Sequence, residues 1–93
     1  MKIEWLPEAA HNLTAQLEGI TERDPWAAIT VGDAVHAAVE RLADHPATGR
    51  PGRVPATREI VVVGTPYVVM YRIEQSVVLV LRILHGAQRW PPA

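Results

Sequence analysis

The hydrophobic period of this chain changes near residue 46, and that change limits the folds open to it. Before it, Ala10, Leu13, Leu17 and Ile20 recur at spacings of three and four, and Ile29, Val35, Val39 and Leu42 form a second stripe. Both read as amphipathic helices. After it, Thr57–Val63, Tyr67–Glu74 and Val77–Leu84 are β-branched and apolar runs divided by Gly64-Thr65-Pro66 and Gln75-Ser76. Connections that short make consecutive strands antiparallel neighbours. The first residues, Lys2–Trp5, alternate charge with Ile3 and Trp5 and read as another strand.

Local signals set the boundaries. Pro7 suits a first helical turn, with Glu8 near its positive end, and the helix is expected over about residues 7–21. Asp24-Pro25 is a clearer start, a capping carboxylate followed by proline at the first helical position. The second helix is expected to run to about His45, where Pro46 stops it. Gly32 is placed to let the two helices approach closely. Pro46–Pro55, with its three prolines and two glycines, reads as a loop. The expected architecture is α+β over a single domain, residues 1–93: strand, helical hairpin, then a three-stranded antiparallel meander. The helices should cover one face of the sheet and leave the other partly open as a groove.

Charge divides at nearly the same place. Residues 1–48 hold three basic and eight acidic side chains, a net −5, and residues 49–93 hold six basic and two acidic, a net +4. Every basic residue of the second half is arginine. A guanidinium offers a fixed fork of donors to phosphate or carboxylate and stays charged. The second half is therefore suited to an anionic partner. No run reaches the length of a membrane span, and the absence of cysteine excludes disulfide and thiol chemistry. A cytoplasmic protein without membrane attachment, metal or cofactor is expected. His11, His36 and His45 are too widely spaced to form a metal set.

Strand alternation puts Arg58 with Ile60 and Val62, and Arg82 with Val78, Val80 and Leu84. Arg58 and Arg82 are thus placed to meet on the open face, with Leu79 turned toward the helices. Two adjacent guanidiniums suit a phosphodiester or a peptide carboxylate between them. His85, whose imidazole can serve as acid or base, ends the same strand, facing away from Arg82 unless a bulge redirects it. Arg58, Arg82 and His85, with Arg89 closing over them, make a candidate metal-free ribonuclease site in which the RNA 2′-hydroxyl attacks the adjacent phosphate. Arg50 and Arg53 on the loop are candidate contacts to substrate or partner, and otherwise solvated. Tyr67 and Tyr71 read as core or groove packing, with Tyr71 also available to stack on a base. Trp5, Trp26 and Trp90 read as packing anchors, Trp90 being best placed for a partner.

The combination Gly49-Arg50-Pro51-Gly52-Arg53, Thr57-Arg58-Glu59, Pro66-Tyr67 through Tyr71-Arg72, and Leu84-His85-Gly86 resembles the second half of RelE/ParE-family toxins. The similarity extends to the early strand and helical hairpin, and so to nearly the whole chain. The resemblance implies a toxin of a type II toxin–antitoxin pair. It implies a cognate antitoxin whose disordered segment wraps the toxin, and operator DNA bound only through that antitoxin. RelE-like members cleave messenger RNA on the ribosome as metal-independent endoribonucleases. ParE-like members poison DNA gyrase and are not enzymes themselves. Ribosome-dependent cleavage is the first expectation and gyrase poisoning the alternative. Arg58, Arg82 and His85 match the positions that RelE-like toxins use. The chain has no glutamate within His45–Pro55 and no tyrosine after His85, where some ribonuclease members carry them.

Overall fold

A computed structural model describes residues 1–92. Strand β1 (Lys2–Trp5) leads into helices α1 (Pro7–Thr21) and α2 (Pro25–Arg41). A single 3-10 turn, Pro46–Thr48, precedes β2 (Arg50–Pro51), β3 (Arg58–Val61), β4 (Tyr67–Glu74) and β5 (Val77–His85). The five strands form one sheet in the order β1-β5-β4-β3-β2. The expected hairpin and meander are present. The first strand is present over the expected residues and runs parallel to β5 along the far edge, whereas β2 lies in the expected loop and pairs with β3.

Both helix starts follow from proline at the first position. Pro25 is assisted by Asp24, whose Oδ1 accepts from Ala27 N at 3.1 Å. The second helix ends four residues earlier than expected. Leu42 N and Ala43 N bond to the carbonyls three residues back, Val39 O and Glu40 O, and this tighter winding closes the α-helix before Pro46 is reached. Leu42 is then buried with Tyr71 and Val78.

One face of the sheet packs on the hairpin. Ala9, Leu13, Val35 and Val39 meet Val62, Tyr67, Val69, Val80 and Ile83 there, with Ile3 and Trp5 at the margin. Leu13, Val35, Val39 and Leu42 are buried as expected, and only the first residue of each stripe is displaced by one position. Ala9 is buried and Ala10 exposed, Ala28 is buried and Ile29 is 55% exposed. An ideal Cβ on Gly32 would stand 3.3 Å from Leu17 Cδ1, so the glycine does mark a close approach of the helices. Trp5 packs beside His36, ring centroids 5.4 Å apart, but Trp26 is 78% exposed and anchors no core.

A bulge in β5 corrects the expected strand faces. Met70 stands opposite Arg82, whereas Tyr71 stands opposite Val80, so Leu81 is an extra residue without a partner. Val78 and Val80 face the helices before the bulge, and Ile83 after it. Arg82 and Leu84 therefore do not share a face with Val78 and Val80. Leu79, paired with Arg72, also points away from the helices and is half-buried. Among the described residues no helix is long and apolar enough to cross a membrane.

Candidate functional site

The face turned away from the helices carries one continuous row across four strands: Arg50, Glu59, Met70 and Arg82. Glu59 is its centre. Its side chain is only 2% exposed, and a buried carboxylate needs partners for its charge. Arg53 supplies them. Its Nε donates to Oε2 and its Nη2 to Oε1, both at 2.9 Å, and its backbone N–H donates to Oε2 at the same distance. These bonds hold the Glu59 carboxyl at a pKa of about 2, against an ordinary 4.5, and raise that of Arg53. Arg50 adds a longer contact at 3.5 Å and remains 61% exposed.

The same row continues into the C-terminal tail. Arg53 Nη1 donates to Gln88 O at 3.2 Å, and the Arg82 guanidinium carbon lies 5.2 Å from the centre of the Trp90 ring. Val68, Met70 and Leu84 sit on this helix-free face, yet each is at most 5% exposed. The Arg53 loop and the tail meet on this same side, through Arg53 and Gln88. The open groove expected here is absent at this end of the sheet. Arg82 is half-buried, with Nη1 donating to Leu81 O at 2.6 Å, and Arg89 is exposed on the tail.

Arg58 points the other way. It stands opposite Tyr71 on the helix-facing side, and its Nη1 donates to Ala47 O at 3.3 Å and Gly49 O at 2.8 Å. Tyr71 is fully buried. Its hydroxyl donates to Pro46 O at 2.6 Å and accepts from Gly49 N at 2.8 Å. Arg58 and Tyr71 thus fasten the 3-10 turn to the sheet, and Tyr71 has no face free for a base. A Cβ on Gly49 would come within 2.6 Å of the Tyr71 oxygen, which accounts for that glycine.

His85 is also separate from Arg82. It pairs with Tyr67 on the helix-facing side, its ring edge-on at 5.8 Å, and its Nδ1 accepts from Ala87 N at 3.2 Å. Arg58, Arg82 and His85 do not converge on one point. The structure instead joins Arg50 and Arg53 on Glu59, which was not among the expected site residues, and sets Arg82 against Trp90 farther along the same row. The signal of Glu59 was available, since it is the one acid among Arg50, Arg53 and Arg58. No group of three possible metal ligands occurs among the described residues.

A profile described as "ParE toxin of type II toxin-antitoxin system, parDE" matches residues 3–90. The chain belongs to this family of toxins. A putative toxin of Sinorhizobium fredii, Y4kP, is 40% identical over 97% of this chain and 93% of its own length. Toxin RelE2 of Caulobacter vibrioides is 33% identical over 94% of this chain and 97% of its own. Toxin RelE1 of the same organism is 40% identical over 75% and 76%. A chain from a structure titled as the chromosomal ParDE TA system of P. aeruginosa superposes with a TM-score of 0.83, over 91% of this chain and 95% of that one, at 24% identity. That likeness establishes the fold. As a RelE/ParE-family toxin of a type II system, the chain has a cognate antitoxin as its implied partner.

Proposed function

We propose that this toxin arrests growth in the manner of ParE-like members, by poisoning DNA gyrase, and has no nuclease activity of its own. The carrying observation is the separation of Arg58, Arg82 and His85. General acid–base cleavage of RNA needs a proton-transfer group within hydrogen-bond reach of the hydroxyl while cations hold the phosphate beside it. Here Arg58 is committed to two backbone carbonyls on the helix side, and His85 lies on the opposite face from Arg82. The family match over residues 3–90 supports the same reading.

Ribosome-dependent cleavage of messenger RNA is the second reading. It is favoured by the names of the two Caulobacter relatives and by Arg82, which keeps donors unused beside Trp90. The test is brief induction of the toxin with RNA integrity and DNA breaks followed together, alongside purified toxin added to gyrase, ATP and supercoiled DNA. Gyrase trapped on cleaved DNA with intact RNA is expected. Early codon-positioned RNA cuts with undamaged DNA would overturn the proposal.

A further inference from the structure

Strand β1 lies at one margin of the sheet, with β5 on one side and, among the described residues, no strand on the other. Leu6 N donates to Val80 O at 3.0 Å, and Glu4 stands opposite Leu79. In a parallel pair alternate residues supply the bonds, so Lys2, Glu4 and Leu6 aim their backbone groups at β5. Those of Ile3 and Trp5 point outward. Among the described residues no turn, cap or loop bond takes them. An edge of this kind is a template for another strand unless charge or cover blocks it.

The side chains on this edge are self-complementary. Ile3 and Trp5 pack toward the helices. Lys2 and Glu4 therefore stand on the helix-free face, 70% and 47% exposed, with Nζ and Oε1 3.1 Å apart. A lysine on an edge repels a second copy when nothing offsets it. Here an antiparallel copy centred on Ile3 sets Lys2 of each chain directly opposite Glu4 of the other, a favourable cross-strand pair made twice. Ile3 then exchanges both main-chain bonds with Ile3 of the second copy, and the Trp5 N–H meets the Met1 carbonyl. A centre on Lys2 or Glu4 would put like charges face to face and inward-turned backbone groups on the seam.

We propose that two copies of this chain pair antiparallel through β1, joining their sheets into one across a two-fold axis. Main-chain bonds give the affinity, and the Lys2–Glu4 pairs fix the register. The axis stands perpendicular to the sheet, so both helix-free faces lie on the same side, each carrying its row from Arg50 to Arg82. A dimer of this form offers two arginine rows to one anionic partner. The pairing is independent of the toxin's target and stands or falls separately from the gyrase reading.

The test follows sedimentation of the full chain over a range of concentrations, with backbone amide exchange at Ile3 and Trp5. Lys2→Glu and Glu4→Lys are measured alone and mixed. Both positions are exposed, so both variants should fold as the native chain does, which circular dichroism checks. The native chain should dimerise, and exchange at Ile3 and Trp5 should slow as the dimer forms. Each variant alone sets like charges opposite each other on the seam and should self-associate about tenfold more weakly. Mixed, the two restore both opposite-charge pairs and should form a heterodimer as strong as the native dimer. A chain that stays monomeric up to millimolar concentration overturns the proposal. So does a native dimer that neither charge variant weakens, or a pair of weakened variants that does not recover on mixing. A dimer lost in Trp26→Ser but kept in both charge variants overturns it in favour of the exposed Trp26 and Ile29 on α2.

Discussion

Arg53 grips both carboxylate oxygens of Glu59 at 2.9 Å and, with its third nitrogen, reaches the backbone of Gln88. A single guanidinium thereby ties β3, the loop before it and the C-terminal tail into one unit. The Glu59 carboxylate makes this possible by staying charged in a buried setting. Glu59→Gln keeps the shape and removes the charge. It should lower unfolding stability by about 2–3 kcal/mol, near the lower end for a broken buried pair because Arg53 is 27% exposed. Chemical denaturation of the two proteins, compared by midpoint, checks this. A loss below measurement error would mean that the pair contributes nothing.

The pH dependence has a definite sign. Folding lowers the Glu59 pKa from an ordinary 4.5 to about 2, so the folded state binds its proton less readily than the unfolded one. The stabilisation is fully present above 4.5 and is lost as pH falls toward 2. Native protein should therefore lose stability across that window more steeply than Glu59→Gln, which has no carboxyl to titrate there. Parallel slopes for the two proteins between pH 5 and pH 2, roughly that window, would contradict the assignment.

The bulge at Leu81 predicts a contrast between two side chains of one strand. Ile83 is 1% exposed against the helices, while Leu79 is half-buried on the other face. Ile83→Ala should cost about 2–5 kcal/mol through lost burial and the cavity left behind. Leu79→Ala should cost clearly less, since it leaves less buried space unfilled. Equal costs would place Leu79 in the core and remove the bulge.

The sequence carried the helical hairpin and the meander because their signals are local. Pro7, Asp24-Pro25 and the Gln75-Ser76 reversal each act within a few residues. It did not carry the bulge, because Val77–Leu81 is apolar at every position and alternation has nothing to mark which face is which. One inserted residue moved Arg82 to the other face from Val80, and with it went the expected meeting of arginines. The pairing of β1 with β5, and β2 itself, were hidden for a different reason. Their pairing joins segments far apart in the chain or only two residues long, and no turn announces it. Arg50, Arg53, Arg82, Arg89 and Trp90 were visible as candidates, but not the acid that organises two of them.

The β4–β5 turn offers a stabilising change. Gln75 and Ser76 both have positive φ, 50° and 64°, in a two-residue hairpin loop. Such turns favour Asn-Gly, and residues other than glycine pay a steric cost in that region. Replacing Gln75-Ser76 by Asn-Gly should raise stability by about 0.5–1 kcal/mol without altering toxicity. Thermal unfolding and a growth assay together test this, and a lower melting temperature would count against the turn geometry.

Arg58 and Arg82 should differ in what their loss does. Arg58 holds the carbonyls of Ala47 and Gly49, so Arg58→Ala should act on stability, costing about 1–3 kcal/mol, with toxicity falling only as folded protein falls. Arg82 donates to Leu81 O in its own strand and stacks on Trp90, and its removal frees few buried groups. Arg82→Ala should therefore leave the melting temperature within a few degrees of native, about what a loss under 1 kcal/mol gives in a domain this size. If the row from Arg50 to Arg82 meets the target, growth inhibition should nonetheless drop sharply for Arg82→Ala at equal soluble levels. His85→Ala should retain inhibition under the gyrase reading, because no proton transfer is asked of it. Loss of inhibition in Arg82→Ala and His85→Ala together, with both folded, would return the balance to the ribonuclease.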